Sequence, residues 1–585
     1  MFAAAAAVVG LLSSPSGRAA EQTSRPPASQ IDQANARVPK TVVELQPYRR
    51  SESIPVEGGR TATLINLNPA INVWHLLRLE VPGGKSKSYH LENAAPKTQT
   101  LLLDPGHAAC LVIAEGGARR TCSLWGAGDG VALQRAERSG DPYVSLCDGS
   151  VLLRNRARGH RTIIESVTDF LREDVVGGEK IVTMVRDTFF LNLHRQTPQF
   201  LPEPRSVKGA ESREDPSAPI PAVVNPEYAS RPVSLTDLGI QIEYADPRDV
   251  VLGSWYAARS NPGVFVSPIQ PDAIAPEILN TYTDWVNKLD RGESQALGYL
   301  VAFDLSRFDL GFALGTVHPK VDWSDRITDR MRDDALPGPD GIGTIEPLMS
   351  TGLISPARAL STAATFTGGF KRTHGAFKWG DLSQRNSGSH YGFIEEGVVL
   401  SKLQPGLATA FVLDDGAVRL KTWSEEDNAL LPRVRYARQN GVAIVEFDEN
   451  AREAVPARLV KHWGPGNWSG SEDKSLRTLR AGLALQERDG RRFLIYGYFS
   501  SATPSAMTRV FQAYRCRYAM HLDMNALEHT YLAVYKREGP SWLVQHLIQG
   551  MSEVDMKTKG QYVPRFLGYP DNRDFFYLTR REPGQ

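Results

Sequence analysis

The sequence lacks a clear excess of charge and lacks long apolar runs. Its 585 residues include 67 basic and 66 acidic side chains, which leaves a formal net charge of +1. Proteins that bind nucleic acid or anionic membranes through phosphate groups usually carry a marked basic excess, so neither partner is expected. No stretch reaches the roughly 18 apolar residues that a membrane-spanning helix needs, so no transmembrane segment is expected.

Cysteine is also scarce, with four residues in the whole chain. This number is too small for a disulfide scaffold in a protein of this length. Cys110 and Cys122 bracket the segment 113–119, which is typical of a hairpin turn, and this arrangement predicts a cross-strand disulfide between them. Cys147 and Cys516 stand apart, and none of the spacings is that of a zinc site.

Two motifs of common enzyme classes are missing as well. No Gly-x-Ser-x-Gly motif surrounds Ser387, Ser389 or His390, which argues against a serine hydrolase. The glycine pairs in the first part of the chain lack the strand and helix context of a phosphate-binding loop and are predicted to be turns.

Turn residues and composition divide the chain into successive segments. An Ala- and Leu-rich start followed by Arg18-Ala19-Ala20 is typical of a secretory signal, so export to the periplasm or the extracellular space is expected. Short apolar runs between Gly, Pro and Asn turns then predict a strand-rich region. The predicted fold class is α+β, with a signal peptide (1–20), a linker (21–50), a β-rich accessory domain (51–201), a Pro-rich linker (202–235) and a larger mixed-sheet domain (236–585).

Several elements of the larger domain are predicted from periodicity. Helical spacing predicts helices over 273–289 and 503–514, the latter with Thr503 as N-cap and Pro504 in the first turn. Apolar runs predict strands at 297–304, 409–413, 442–447, 492–499, 518–522 and 531–535.

Between the last two predicted strands lies an unusual concentration of polar residues, namely His521, Asp523, Asn525, Glu528 and His529. Polar groups at the end of a strand often serve a functional site. The alternative is a loop in which Asp523 and Asn525 cap the backbone. A divalent metal bound by His521, Asp523 and His529 is a further alternative if the chain folds back, so no cofactor is certain.

Five motifs occur in an order that resembles the phosphodiester glycosidase family. They are Thr367-Gly368-Gly369-Phe370, Arg438-Gln439-Asn440, Arg480-Ala481-Gly482-Leu483, the helix at Pro504 and His521-Leu522-Asp523. The resemblance runs from about Tyr299 to Lys536. It implies a hydrolase that acts on a glycosidic or glycosyl-phosphodiester bond in a polysaccharide or cell-envelope glycan.

The chain also departs from the family pattern. Thr367 replaces an asparagine, and Met524-Asn525-Ala526 replaces a glycine-rich stretch after the aspartate. Glycines allow close approach of a backbone to a substrate, so these changes indicate a rebuilt pocket. The alternative function is therefore a non-catalytic glycan-binding or envelope-structural protein on the same scaffold.

Local chemistry and the resemblance together define the candidate site residues. Glycoside cleavage needs a proton donor and a second carboxylate, for which Asp523 and Glu528 are the candidates. A phosphate leaving group would need cations, which Arg480, with Lys371 or His374, could supply. The predicted catalytic residues are Asp523, Glu528, Arg480 and His374, and the predicted substrate-binding residues are Gly368, Gly369, Lys371, Asn440, Asn525, His521 and His529.

Overall fold

The computed structural model describes most of the chain after residue 38. The described residues are 39–107, 110–125, 131–162, 165–167, 170, 194–202, 216–244, 246–324, 327–372, 382, 390–461, 477–558 and 561–581. The predicted signal peptide and most of the predicted first linker lie outside these residues. None of the described helices is long and apolar enough to cross a membrane.

The first nine strands form two antiparallel sheets. They are β1 (Arg50–Val56), β2 (Arg60–Asn66), β3 (Trp74–Glu80), β4 (Lys87–Asn93), β5 (Gln99–Leu103), β6 (Cys110–Glu115), β7 (Ala118–Ser123), β8 (Tyr143–Leu146) and β9 (Val151–Arg154). One sheet has the order β1-β2-β3-β4-β9-β8 and the other the order β5-β6-β7. The short helix α1 (Val131–Arg138) precedes β8.

The central strands of the larger sheet are buried on both faces. Because side chains alternate along a strand, Leu64 and Leu77 face the core that the sheet shares with β5 and β6. Their neighbours Ile65 and Leu76 belong instead to the main core of the protein. The strands rich in apolar residues that the sequence predicts here are thus confirmed. Their alternate side chains pack into two different cores, one on each face of the sheet.

The disulfide links Cys122 to Cys147, so the predicted Cys110–Cys122 pairing is wrong. In the β6–β7 hairpin, Cys110 lies opposite Ser123, whereas Cys122 lies opposite Leu111. Directly opposed residues share one face of a sheet, and the next residue faces the other side. Cys110 and Cys122 therefore point to opposite faces, and Cys110 stays a free thiol.

Cys122→Ser is expected to destabilise the protein, whereas Cys110→Ser is expected to leave its stability unchanged. The disulfide closes a loop with a sequence separation of 25 residues. Such a crosslink contributes about 2–4 kcal/mol, mainly by restricting the unfolded chain. Urea unfolding of both variants under non-reducing conditions measures the difference. Equal losses in the two variants, or a protected thiol at Cys110, would contradict this pairing.

The remaining strands belong to the second and larger part of the chain. They are β10 (Gln199–Phe200), β11 (Val233–Ser234), β12 (Tyr256–Ala257), β13 (Val264–Ile269), β14 (Gly298–Asp304), β15 (Phe308–Ala313), β16 (Thr362–Thr367), β17 (Phe393–Glu395), β18 (Val398–Ser401), β19 (Ala408–Leu413), β20 (Val418–Thr422), β21 (Val434–Gln439), β22 (Ala443–Asp448), β23 (Glu453–Pro456), β24 (Thr478–Arg488), β25 (Arg491–Ala502), β26 (Tyr518–Met524), β27 (Leu532–Glu538), β28 (Ser541–His546), β29 (Met556–Thr558), β30 (Gln561–Val563) and β31 (Phe575–Arg580). The helices are α2 (Pro226–Ala229), α3 (Pro276–Leu279), α4 (Arg291–Ser294), α5 (Pro356–Ala359) and α6 (Pro504–Ala513).

Three sheets dominate this part. Their strand orders are β12-β13-β14-β25-β24-β26-β22-β23, β15-β31-β16-β27-β28 and β18-β17-β21-β19-β20. Strands predicted from the sequence are confirmed as β14, β19, β22, β25, β26 and β27. The described chain is therefore β-rich with few helices, in agreement with the coarse α+β prediction. Residues Lys40–Gln585 group as one compact unit, and the predicted domain boundaries stay a prediction.

The expectation of mixed sheets is wrong for the described strands. All pairings between neighbouring strands of the three large sheets are antiparallel. The only long helix between consecutive strands of these sheets, within the described residues, is α6, which connects β25 to β26. Because β24 lies between β25 and β26, the two parallel strands that α6 joins are not neighbours.

The two predicted helices have different outcomes. The helix α6 is confirmed, with Pro504 at its first position and the Thr503 side chain accepting a hydrogen bond from the Ala506 N–H (3.3 Å). The helix predicted over 273–289 is wrong, since only the single turn α3 forms there. The apolar residues have helical spacing, but this segment packs as successive turns. Tyr282 has a positive φ of 50°, which a right-handed helix does not allow.

Candidate functional site

Asn440 joins three chain segments that are far apart in the sequence. It directly follows β21 and lies between the turn after β16 and the end of β26. Its Oδ1 accepts a hydrogen bond from the Phe370 N–H (3.1 Å), and its Nδ2 donates to the carbonyls of His521 (2.8 Å) and Leu522 (3.1 Å). The Gly-Gly-Phe, Arg-Gln-Asn and His-Leu-Asp motifs of the sequence therefore meet at one place.

Gly368 and Gly369 allow the turn after β16 to approach this place closely. A Cβ atom on Gly368 would lie 2.6 Å from Asp574 Oδ2, and one on Gly369 would lie 2.8 Å from Asn440 Oδ1. Gly369 also has a φ of +146°, a conformation that residues with a side chain rarely adopt. The structure thus accounts for both glycines by close packing against Asp574 and Asn440, and contact with a substrate stays a prediction.

Arg438 and Asp574 form a buried ion pair beneath the glycine turn. The Arg438 Nε donates to Asp574 Oδ2 (2.8 Å), and its Nη2 donates to the Phe370 carbonyl (2.7 Å). The other oxygen, Oδ1, accepts a hydrogen bond from His318 Nδ1 (2.7 Å). Although burial opposes ionisation, Arg438 and His318 hold the pKa of Asp574 well below its usual range. His318 is 3% exposed, and its Nε2 has no hydrogen-bond partner within the described residues.

Asp523 lies near the end of β26 and is 4% exposed. Its Oδ2 accepts a hydrogen bond from Arg573 Nη1 (2.6 Å), and its Oδ1 accepts one from the Met524 N–H (2.9 Å). Burial raises the pKa of Asp523 to about 6, although the Arg573 guanidinium and the Met524 N–H oppose this shift. Asp523 can therefore hold a proton at mildly acidic pH, as a general acid must.

Arg573 connects Asp523 to His529. Its Nη2 donates to His529 Nε2 (2.7 Å), so this ring nitrogen is an acceptor and the proton resides on Nδ1. The His529 Nδ1 in turn donates to the Met524 carbonyl (2.8 Å). Burial, assisted by the nearby Arg573 charge, holds the pKa of His529 well below its usual value. His529 is thus a neutral imidazole that orients the guanidinium.

Glu165 contacts the other side of Arg573. Its Oε1 lies 2.9 Å from Arg573 Nη2 and 3.5 Å from Lys371 Nζ, and it accepts a hydrogen bond from Asn572 Nδ2 (3.0 Å). Although burial opposes ionisation, the charges of Arg573 and Lys371 and the hydrogen bond from Asn572 hold the pKa of Glu165 well below its usual range. We call Asp523, Arg573, His529, Glu165 and Lys371 the carboxylate cluster.

Glu528 lies beside the carboxylate cluster but is not part of its ion pairs. It is 8% exposed, and its Oε1 accepts a hydrogen bond from Thr162 Oγ1 (3.3 Å). Thr162 belongs to the same segment as Glu165, so this segment contacts both Glu528 and Arg573. The predicted catalytic role of Glu528 stays a prediction.

The other predicted site residues lie near the cluster with different partners. Arg480 is fully buried, and its Nε donates to the Ala502 carbonyl (2.8 Å) while its Nη1 lies 3.2 Å from Met524 Sδ. His521 is buried against Phe370, with ring centroids 6.2 Å apart. Asn525 has a φ of 82° and accepts a hydrogen bond from Thr478 Oγ1 (3.2 Å). The arginine that contacts Asp523 is thus Arg573, and His374 lies outside the described residues.

The geometry does not favour a metal at His521, Asp523 and His529. The Arg573 guanidinium contacts both Asp523 and His529, and a second cation at this position would be repelled. In the part of the chain that the structure describes, no group of three or more His, Cys, Asp or Glu side chains could hold a metal ion.

Sequence reasoning missed four residues of this site: Glu165, His318, Arg573 and Asp574. Two of them lie in the run Asp571-Asn572-Arg573-Asp574, immediately before the apolar strand β31. Such a run of charged residues at a strand end is the same signal that singled out residues 521–529, and it could have identified Arg573 and Asp574. Glu165 and His318 have no comparable signal, because their partners are more than 200 residues away.

The chain matches no family model and no curated protein. It is weakly similar to the solved catalytic domain of zebrafish N-acetylglucosamine-1-phosphodiester alpha-N-acetylglucosaminidase, with 9% identity over 55% of this chain and 85% of that chain and a TM-score of 0.30. A hypothetical protein from Synechocystis shares 10% identity over 92% of this chain and 99% of that chain, with a TM-score of 0.23.

A third solved structure is a protein from Burkholderia pseudomallei provisionally described as exported. It shares 11% identity over 48% of this chain and 74% of that chain, with a TM-score of 0.19. At TM-scores this low, none of these similarities establishes a shared fold or an activity.

Proposed function

We propose that the chain is an exported hydrolase that cleaves a glycosidic or glycosyl-phosphodiester bond in a polysaccharide or cell-envelope glycan. The observation that carries the proposal is the pair of carboxyl groups of Asp523 and Glu165. Both contact the Arg573 guanidinium, yet the pKa of Asp523 is raised and that of Glu165 is lowered. A carboxyl group that holds a proton beside one that stays ionised is the combination that glycoside cleavage requires.

Each residue then has a distinct role. Asp523 donates a proton to the departing oxygen, and the Glu165 carboxylate stabilises the positive charge that develops at the sugar carbon. Lys371 and Arg573 supply positive charge for an anionic leaving group, a role that the sequence had suggested for Arg480. Glu528 is the candidate that activates water.

The proposal also assigns roles to the parts of the chain. Residues 236–585 would form the phosphodiester-glycosidase-like domain and residues 51–201 the accessory domain. Glu165 and Thr162 come from the end of the accessory part, so that part would complete the site rather than merely flank it. The Cys122–Cys147 disulfide supports export, because such bonds persist in oxidising compartments.

A substrate screen with matched variants tests the proposal. The purified protein is incubated with glycosyl phosphodiesters and with envelope polysaccharides, and released sugar or phosphate is measured. Glu165→Gln should lower turnover on any substrate that is cleaved, whereas Glu243→Gln, at an exposed position, should not. Absence of cleavage across the panel, or equal turnover of the two variants, would contradict the proposal.

The raised pKa of Asp523 predicts a pH dependence of activity and stability. Turnover should fall as the pH rises above about 6, because the proton donor is lost. The folded protein binds this proton more tightly than the unfolded chain does. The stabilisation that comes from protonated Asp523 is therefore complete below pH 3.8 and is lost as the pH rises to about 6. The difference in free energy of unfolding between the wild type and Asp523→Asn should change over this window by a few kcal/mol. A difference that is constant with pH would contradict the raised pKa.

A second candidate is a glycan-binding or envelope-structural protein without catalysis. It is favoured by the burial of the carboxylate cluster, since both oxygens of Asp523 already have protein partners. This candidate predicts that glycans bind without being cleaved and that Asp523→Asn leaves their affinity unchanged. Calorimetric titration alongside the substrate screen separates the two functions.

A further inference from the structure

A basic cleft lies beside the carboxylate cluster. It has a volume of about 930 Å³, and its lining includes Arg156, Arg158, Arg161, Val317, Met556 and Tyr569. Three of these residues are arginines with exposed side chains, and none of the lining residues is acidic. Arg156 forms an exposed ion pair with Glu346 (3.2 Å) outside the lining, and its side chain remains 80% exposed. In a chain with a net charge of +1, such a local excess of positive charge is a distinct feature.

Two chain segments contribute residues both to the cleft and to the carboxylate cluster. His160 pairs with Asp571 in a short parallel bridge, with hydrogen bonds from the His160 N–H to the Pro570 carbonyl (2.8 Å) and from the Asn572 N–H to the His160 carbonyl (3.3 Å). Along one segment, His160 is followed by Glu165. Along the other, Asp571 is followed by Arg573. The cleft and the buried cluster therefore share these two segments.

Close packing holds the two segments in place. A Cβ atom on Gly159 would lie 2.2 Å from Thr316 Oγ1 and 2.6 Å from the Asn572 N atom. The backbone at Gly159 thus has no room for a side chain. The His160 and Tyr569 rings make an edge-to-face contact at 5.3 Å, which fixes the floor of the cleft. The backbone that carries the arginines is thus held in place by close packing.

We propose that this cleft binds the anionic part of an acidic glycan and so presents the glycan to the carboxylate cluster. The proposal rests on the proposed function for its catalytic consequence. Arginine forks bind phosphate or carboxylate groups in two-pronged geometry. The apolar side chains of Val317, Met556 and Tyr569 match the apolar faces of sugar rings, and a volume of about 930 Å³ accommodates more than one sugar unit. The substrate class is an oligosaccharide that bears phosphodiester or uronate groups.

The test measures binding rather than turnover, so that its failure is distinct from failure of the proposed function. The full chain carrying Asp523→Asn is titrated calorimetrically with polygalacturonate, with a glycerol-phosphate polymer that bears sugars, and with neutral amylose of similar length. At least one of the acidic polymers should bind, with an affinity that falls as the salt concentration rises. Amylose should bind about tenfold more weakly or not at all. The acidic polymer that binds more tightly identifies the anionic group as carboxylate or phosphate.

Charge reversal within the cleft provides the decisive comparison. Arg156→Glu/Arg158→Glu should weaken binding of the acidic polymer at least about tenfold, because two attractive charges become repulsive. Arg419→Glu, at an exposed position on β20 that does not line the cleft, should change the affinity less than about twofold. Equal effects of the two changes, equal affinity for amylose, or tighter binding of a short single-stranded DNA would overturn the proposal. Binding without cleavage by the wild type would uphold the cleft and refute the hydrolase.

Discussion

Asp523→Asn is expected to lower turnover by about two orders of magnitude or more, as loss of a general acid typically does. The asparagine keeps the shape of the side chain, and its one amide oxygen can accept a hydrogen bond from one of the two present donors, Arg573 Nη1 or the Met524 N–H. It cannot supply the proton that the raised pKa of Asp523 makes available near pH 6. The protein should therefore remain folded while kcat falls. Steady-state kinetics, with thermal unfolding measured in parallel, gives both quantities.

Asp489→Asn is the matched control for this prediction. Asp489 occupies the turn between β24 and β25, and its side chain is 85% exposed. The same chemical change there should leave turnover at the wild-type level. Near-normal turnover of Asp523→Asn on a substrate that the wild type cleaves would exclude Asp523 as the proton donor. A loss of structure instead of turnover would indicate a role in stability alone.

Arg438→Met is expected to lower the free energy of unfolding by about 3–5 kcal/mol, because it leaves a buried charge without its partner. Arg438 is fully buried and bonds to Asp574, to Asn440 and to the Phe370 carbonyl. Methionine fills much of the volume but leaves the Asp574 carboxylate with His318 as its remaining partner. Urea unfolding measures the loss.

The double variant Arg438→Met/Asp574→Asn separates charge from packing. If the uncompensated carboxylate causes the loss, removal of its charge should restore part of the stability. Arg419→Met, on β20 in the same sheet but exposed, should have little effect. A loss in Arg438→Met no larger than in Arg419→Met would show that the buried ion pair does not stabilise the fold.

Local patterns in the sequence were sufficient for several elements. The alternation over 518–522 predicts β26, and the Thr503-Pro504 start predicts α6, because strand alternation and helix capping depend on neighbouring residues alone. The helix predicted over 273–289 does not form, although the spacing of its apolar residues is helical. Packing on the main core decides the conformation of this segment, and it forms successive turns instead.

The disulfide illustrates a different limit of sequence reasoning. The hairpin around residues 113–119 is correctly predicted, and its two strands are β6 and β7. The partner of Cys122 depends on strand register and on which face each side chain occupies. A shift of one residue exchanges the faces, so proximity in the sequence could not decide between Cys110 and Cys147.

The candidate site, too, is only partly predictable from the sequence. The order of the glycine turn, Arg438-Gln439-Asn440 and Asp523 predicts a site made from separate segments, and Asn440 indeed bridges two of them. The motif order points to Arg480 and does not draw attention to Arg573. The charged run before β31 marks Arg573 as a candidate, but its pairing with Asp523 depends on where that segment packs, which no local pattern reveals.

By itself, the sequence determined the β-rich character, the helix α6 and the polar strand end that carries Asp523, since these follow from side-chain periodicity and capping. Tertiary structure alone decided which charges meet. Glu165, Lys371 and Arg573 lie far apart in the chain and come together only when the sheets pack. Burial then raises the pKa of Asp523, whereas surrounding cations lower that of Glu165. Solvent exclusion and charge proximity are properties of the packed structure, and they give the two carboxyl groups their opposite behaviour.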